Sequence, residues 1–171
     1  MQENEDKQTM DAAFLTEVLD KNRDAIRSMS RIYVASSWRN TYQPAVVEIL
    51  RDNGHEVYDF RKDGFSWSEI SPSWREWTPE EYIYALRHEC AERGFDRDMK
   101  ALEQCDVCVM VMPCGPSASM EAGWAKGAGK PVYVFAPEIR EPDLMVKMFD
   151  LVTTNLSHIL LRLEELKGKL G

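Results

Sequence analysis

The sequence predicts an α/β domain of three layers, with a central parallel sheet held between helices on both faces. Three observations carry this prediction. Five short apolar runs alternate with segments whose apolar residues recur at helical spacing. One of those runs, ending at Met112, is almost unbroken from Val107, as in a strand buried on both faces. That run passes through Pro113, Gly115 and Pro116 into a stretch of helix formers and then into Val132–Phe135, so strand, turn, helix and strand make a βαβ unit.

Length and composition bound the rest. A chain of 171 residues fits one domain with a proper core. The formal charge of −8 argues against a protein that coats a nucleic acid polymer, which needs a basic face. No apolar run approaches a membrane span, and the acidic start Met1–Asp6 has no signal-peptide character, which predicts a soluble, cytoplasmic protein with no membrane partner. Cys105 and Cys108 have the Cys-x-x-Cys spacing, but positions three apart on one strand face opposite ways, so no metal site is expected from them.

Residues 1–30 form an extension ahead of the domain at 31–171. Within it Phe14, Leu15, Val18, Leu19, Ala25 and Ile26 have helical spacing and predict an amphipathic helix over 10–29. Arg31–Ser36 is the first strand and Tyr42–Arg51 the first helix of the domain, closed by Asn53-Gly54. His55–Phe60 is the second strand. Residues 61–77 carry Trp67, Trp74 and Trp77 among Ser, Gly and Pro, which predicts a long irregular loop over the open end of the sheet, offering a face on which a base stacks. Thr78-Pro79-Glu80-Glu81 is a capping box that starts a helix to about Arg93; Gly94-Phe95 then breaks the chain before a short helix over 96–104. After the fourth strand at Val132–Phe135 come a helical turn over 143–148, a fifth strand at 151–154 and a last helix capped by Asn155.

The turn after the third strand is where ligands bind in open α/β sheets. Ser117 or Ser119 is placed to cap the helix that follows, with Glu121 in its first turn, where a helix dipole favours a carboxylate. Small residues at Ala122, Gly123, Ala125, Gly127 and Ala128 let this helix lie close on the sheet and leave room beside Glu121.

These residues resemble a family. The Pro/Gly/Ser loop, then Met120-Glu121-Ala122-Gly123-Trp124-Ala125, then Gly129-Lys130-Pro131-Val132 is similar to the nucleoside 2-deoxyribosyltransferases and the deoxynucleoside 5′-monophosphate N-hydrolases, over Arg31 to Phe135. The resemblance implies a flavodoxin-like or Rossmann-like sheet in the order 2-1-3-4-5, also the simplest crossover solution. It implies cleavage of an N-glycosidic bond in a nucleoside or nucleotide, with Glu121 as nucleophile and no cofactor. Asp98, eight residues before Asp106, matches a substrate-contacting Asp of the hydrolases. Ser36, Ser37, Arg39 and Asn40 occupy the turn that contacts sugar and phosphate there. Asp63, Trp67, Gly115, Ser117 and Ser119 complete the expected binding set. The transferases carry an Asp six residues before the Glu, where this chain has Gly115; the hydrolases carry a Ser at that offset, and Ser117 and Ser119 stand in a loop one residue shorter. Transfer and hydrolysis therefore both stay open, and the family's shared sites imply a homo-oligomer. A nucleotide-binding domain without turnover, and a TIR-like domain cleaving NAD, are the alternatives.

Overall fold

A computed structural model describes residues 29–138 and 141–170. The helix expected over 10–29 lies outside the described residues except for Met29. The described chain runs β1 (Arg31–Ala35), α1 (Gln43–Asp52), β2 (Glu56–Tyr58), α2 (Phe60–Asp63), 3-10 turns at Trp67–Glu69 and Trp74–Glu76, α3 (Pro79–Ala85), α4 (Glu89–Gln104), β3 (Val107–Val111), α5 (Pro116–Gly127), β4 (Val132–Phe135), a 3-10 turn at Leu144–Met148, β5 (Leu151–Thr153) and α6 (Leu156–Leu170). The five strands are parallel, in the order β2-β1-β3-β4-β5. The expected topology is found.

Strand alternation divides the core in two. Ile32, Val34, Val107, Val109 and Val111 face one side, against Val46, Val47 and Leu50 of α1 and Ile159 and Leu163 of α6. Tyr33, Ala35, Cys108, Met110, Val132 and Val134 face the other, against Leu102 of α4 and the fully buried Ala118, Ala122 and Ala125 of α5. Helices on both faces explain why β3 is buried throughout its length. The alanine stripe brings α5 down onto the sheet, which positions whatever α5 carries beside that stripe.

Local signals mostly act as expected. Gly54 takes φ +79 after the C-cap Asn53, a left-handed conformation that closes α1 without a Cβ penalty. Asn155 Oδ1 accepts from Ser157 N at 2.9 Å at the start of α6. The helices around 78–104 divide differently from the expectation. The break comes at 86–88, where the His88 side chain caps α4 by accepting from Cys90 N, and α4 then runs unbroken through Gly94 and Phe95. Gly94 is there for packing: a Cβ on it would come within 2.6 Å of the Phe65 Cβ. Residues 61–77 are also more ordered than a loop. Ser66 and Glu69 form a capping box on the first 3-10 turn, a signal present in Ser66-Trp67-Ser68-Glu69. Cys105 precedes β3 rather than lying in it, so the argument from opposite strand faces does not apply. It packs in the same layer as Cys108 and donates its thiol to Leu102 O at 3.1 Å.

His55, between α1 and β2, is 5% exposed and neither ring nitrogen has a hydrogen-bond partner among the described residues. Burial, and then the Lys167 ammonium, hold its pKa below the ordinary value of 6.5. The folded state therefore binds this proton less readily than the unfolded chain, and stability falls as pH drops below about 6.5. The expected result is that His55→Leu flattens this part of the profile, read as the urea midpoint at pH 7.5 and pH 5.

Candidate functional site

The strand order reverses direction between β1 and β3, and the loops leaving their carboxyl ends meet at this switch point, where ligands bind in open α/β sheets. The two loops are tied together by side chains. Ser36 Oγ donates to Val111 O at 2.9 Å, and Asn40 Nδ2 donates to Val111 O at 3.1 Å and Pro113 O at 2.9 Å. Asn40 Oδ1 accepts from Tyr42 N and Gln43 N, which caps the entry to α1. Arg61 Nη2 donates to the carbonyls of Ser37, Trp38 and Asn40 at 2.9, 2.8 and 2.6 Å. Ser36 and Asn40, expected to face ligand, are buried and hold the two loops together. Ser37 Oγ accepts from Arg39 N at 3.2 Å, and the Arg39 side chain is exposed.

Gly115 is the N-cap of α5 and Pro116 its first residue, so the helix starts before the serines expected to cap it. Proline suits that position because its φ is already helical and its missing N–H would be unpaired. Ser117 and Ser119 thus lie exposed within the first turn, with Ser119 Oγ reaching Gly115 O at 3.5 Å, and Glu121 falls in the second turn rather than the first. The helix N-terminus is therefore not what acts on Glu121.

Its neighbours on the sheet act on it instead. Glu121 is half-buried, next to the alanine stripe, and its pKa is pushed up to about 7 by burial and then by the nearby Asp98 carboxylate; hydrogen bonding from Tyr33 pulls it partly back. Burial also raises Asp98 on α4, against the opposing pull of the Tyr58 hydroxyl and Arg97. Tyr58 Oη donates to Asp98 Oδ1 at 2.5 Å. The rings of Tyr33 and Tyr58 stack with centroids 5.2 Å apart and planes 18° apart, at matching positions of β1 and β2. Burial first, and then Glu121 and Asp98, raise the Tyr33 hydroxyl. Glu121 also adds to the upward shift that burial imposes on the thiols of Cys108 and Cys114. Asp98 and Glu121, paired in the sequence reading, stand close enough to repel each other.

Tyr33, Tyr58 and Arg61 belong to this arrangement and were not legible in advance. Tyr33 and Tyr58 fill ordinary apolar positions of strands, and only the β1–β2 register brings them together. The other expected contributors stand outside the pair. Trp67 packs edge-on against Phe65, Trp77 and Tyr82, with centroids 4.8, 5.8 and 5.7 Å away, so it centres an aromatic cluster that seats on α4 through Phe65. The side chain of Asp63 lies outside the described residues. Concavities of about 420 Å³ beside α3 and about 290 Å³ beside β4 and α6 are lined by neither carboxylate. Among the described residues no three metal-ligating side chains converge, and no helix is long and apolar enough to cross a membrane.

A five-stranded parallel sheet in the order β2-β1-β3-β4-β5 with helices on both faces, and two carboxylates near each other on the face that carries Tyr33 and Tyr58, define the class: a doubly wound α/β domain. The family model described as nucleoside 2-deoxyribosyltransferase matches residues 32–156, and the chain belongs to that family. Among solved structures it is similar to a 2-deoxyribosyltransferase from the psychrotolerant bacterium Bacillus psychrosaccharolyticus, at 21% identity over 75% of this chain and 88% of that one, with a TM-score of 0.51. A CMP N-glycosidase, BcmB, from Clostridium botulinum aligns at 16% identity over 78% of this chain and 97% of that one, with a TM-score of 0.42. A search of curated proteins gives no match.

Proposed function

We propose that this protein is a cytoplasmic enzyme that cleaves the N-glycosidic bond of a nucleoside or nucleoside 5′-monophosphate, with Glu121 as nucleophile and Asp98 serving the leaving base. The observation that carries the reading is the nearness of these two half-buried carboxylates on the sheet face that carries Tyr33 and Tyr58, with the Asp98 charge raising Glu121. Family membership supplies the chemistry to which such a pair is suited.

In the first step a Glu121 oxygen bonds to the anomeric carbon as the carbon–nitrogen bond breaks, and that bond's electron pair leaves on the base nitrogen. The base departs as a stabilised anion or takes a proton, which Asp98 is placed to deliver or steer. In the second step water or another base attacks the anomeric carbon and frees Glu121. Water gives hydrolysis; a base gives transfer. Gly115 at the position of the transferases' Asp, with Ser117 and Ser119 exposed beside two N-terminal backbone N–H groups of α5, supports a 5′-phosphate more than an unphosphorylated 5′-hydroxyl. Ser37 and Arg39 lie in the turn after β1, and Trp67 and Asp63 belong to the segment beyond β2. The catalytic domain is 31–171, with 1–30 as an appendage. A homo-oligomer fits the same reading, since Met120 and Trp124 are 67% and 38% exposed on α5 beside Glu121.

The test is to incubate the protein with a panel of nucleosides and 5′-monophosphates, with and without a second free base, and to follow base release by chromatography. Release from at least one member is expected. Binding without release would leave a nucleotide-binding domain, and nicotinamide release from NAD alone would point to the TIR-like alternative.

A further inference from the structure

We propose that Tyr58 is the positioning residue of this site: its hydroxyl holds one oxygen of Asp98 and leaves the other turned to the leaving base. The inference deepens the glycosidic reading and rests on it.

Four observations converge on Tyr58. Its hydroxyl donates to Asp98 Oδ1 at 2.5 Å, while among the described residues no hydrogen bond is made to Oδ2. Asp98 is half-buried, so one oxygen is fixed by the protein while the other stays available to a ligand. The phenol is braced on one face, because its ring stacks on Tyr33, which is 1% exposed at the matching position of the neighbouring strand β1. The helix carrying Asp98 is seated as well: Gly94, one turn before Asp98, closes on Phe65. Tyr58 thus fixes Asp98 from the sheet while Phe65 fixes its helix from outside.

The groups facing Asp98 are Tyr58 from β2, Tyr33 from β1, Glu121 from α5, and Arg97 on its own helix. Of these Tyr58 alone makes a hydrogen bond to the carboxylate. A hydroxyl given to the ionised form favours that form, so removing it moves the Asp98 titration upward.

Tyr58→Phe keeps the ring and its stack and deletes only the O–H. On whichever nucleoside or 5′-monophosphate the wild type cleaves, kcat should fall about 10- to 100-fold with KM within about threefold, the pattern of a lost alignment rather than lost binding. In an Asp98→Asn background the same change should have no further effect. Independently of turnover, a carbon-13 carboxyl NMR titration of labelled Asp98 should shift to higher pH in Tyr58→Phe. An equal loss of kcat in both backgrounds overturns the proposal, as does an Asp98 titration unmoved by the substitution. If the wild type releases no base from the panel, the glycosidic reading fails by itself, and the titration alone decides whether Tyr58 governs Asp98.

Discussion

Glu121→Gln is expected to lower kcat for base release about 10³-fold or more and, at pH 8, to make the folded protein more stable. The two halves come from one cause. A glutamine cannot bond to the anomeric carbon as a carboxylate does, so the two-step route closes and only uncatalysed departure of the base remains. The stability gain follows from linkage. Burial and Asp98 raise the Glu121 pKa from 4.5 to about 7, so the folded state holds this proton more tightly than the unfolded chain. The stabilisation from that proton is complete below about pH 4.5 and is lost as pH rises through 7. At pH 8 wild type keeps an ionised, half-buried carboxylate beside a second one, at a cost of about 1–3 kcal/mol. Glutamine carries no charge and escapes that cost. Urea unfolding of both proteins at pH 8 and pH 4 checks it, with the gap expected only at pH 8. A structural Glu121 would give the opposite pair of results, lost stability with activity lost in proportion.

The fold was legible because its signals are repeated. The near-continuous run of β3 and the strand–helix alternation each point to a parallel sheet, and so does the Gly/Pro turn after β3. An error in one is covered by the others. The site was legible only in part. Glu121 stands out as a carboxylate just after the turn of a βαβ unit, Asp98 is reached only through the family resemblance, and the structure brings the two near each other. Their partners could not be read, because Tyr33 and Tyr58 meet through the register of β1 and β2, a long-range pairing that leaves no mark on either strand. The loop-bridging bonds of Ser36 and Asn40 were hidden for a related reason. A polar side chain at a strand end serves equally to touch ligand or to bridge loops, and here the nearest acceptors are the carbonyls of Val111 and Pro113. The helix break placed at Gly94 is a third instance: the glycine answers to Phe65, far away in sequence, and helical propensity alone cannot reveal that.

Base release should rise with pH through about 7, falling roughly tenfold per unit below that value, so that the rate at pH 5 is on the order of 100-fold below its plateau. The direction is diagnostic. A nucleophile must be ionised, and Glu121 loses its proton near pH 7. A Glu121 acting as general acid from the same position would give the reverse limb, with the rate declining above 7. Asp98 then supplies a control, because its charge is the second contribution, after burial, to holding the Glu121 proton. Asp98→Asn removes that charge, and the acid limb should move to lower pH even as the plateau drops for want of a group to serve the base. The measurement is kcat/KM against pH for both proteins on one substrate. A limb that stays in place would assign the titration to some group other than Glu121, and a limb of opposite slope would exchange the roles of the two carboxyls. The geometry favours the first assignment: Asp98 is held at one oxygen by Tyr58, whereas Glu121 rides on a helix drawn onto the sheet by Ala118, Ala122 and Ala125, which sets its carboxylate near Tyr33 and Asp98.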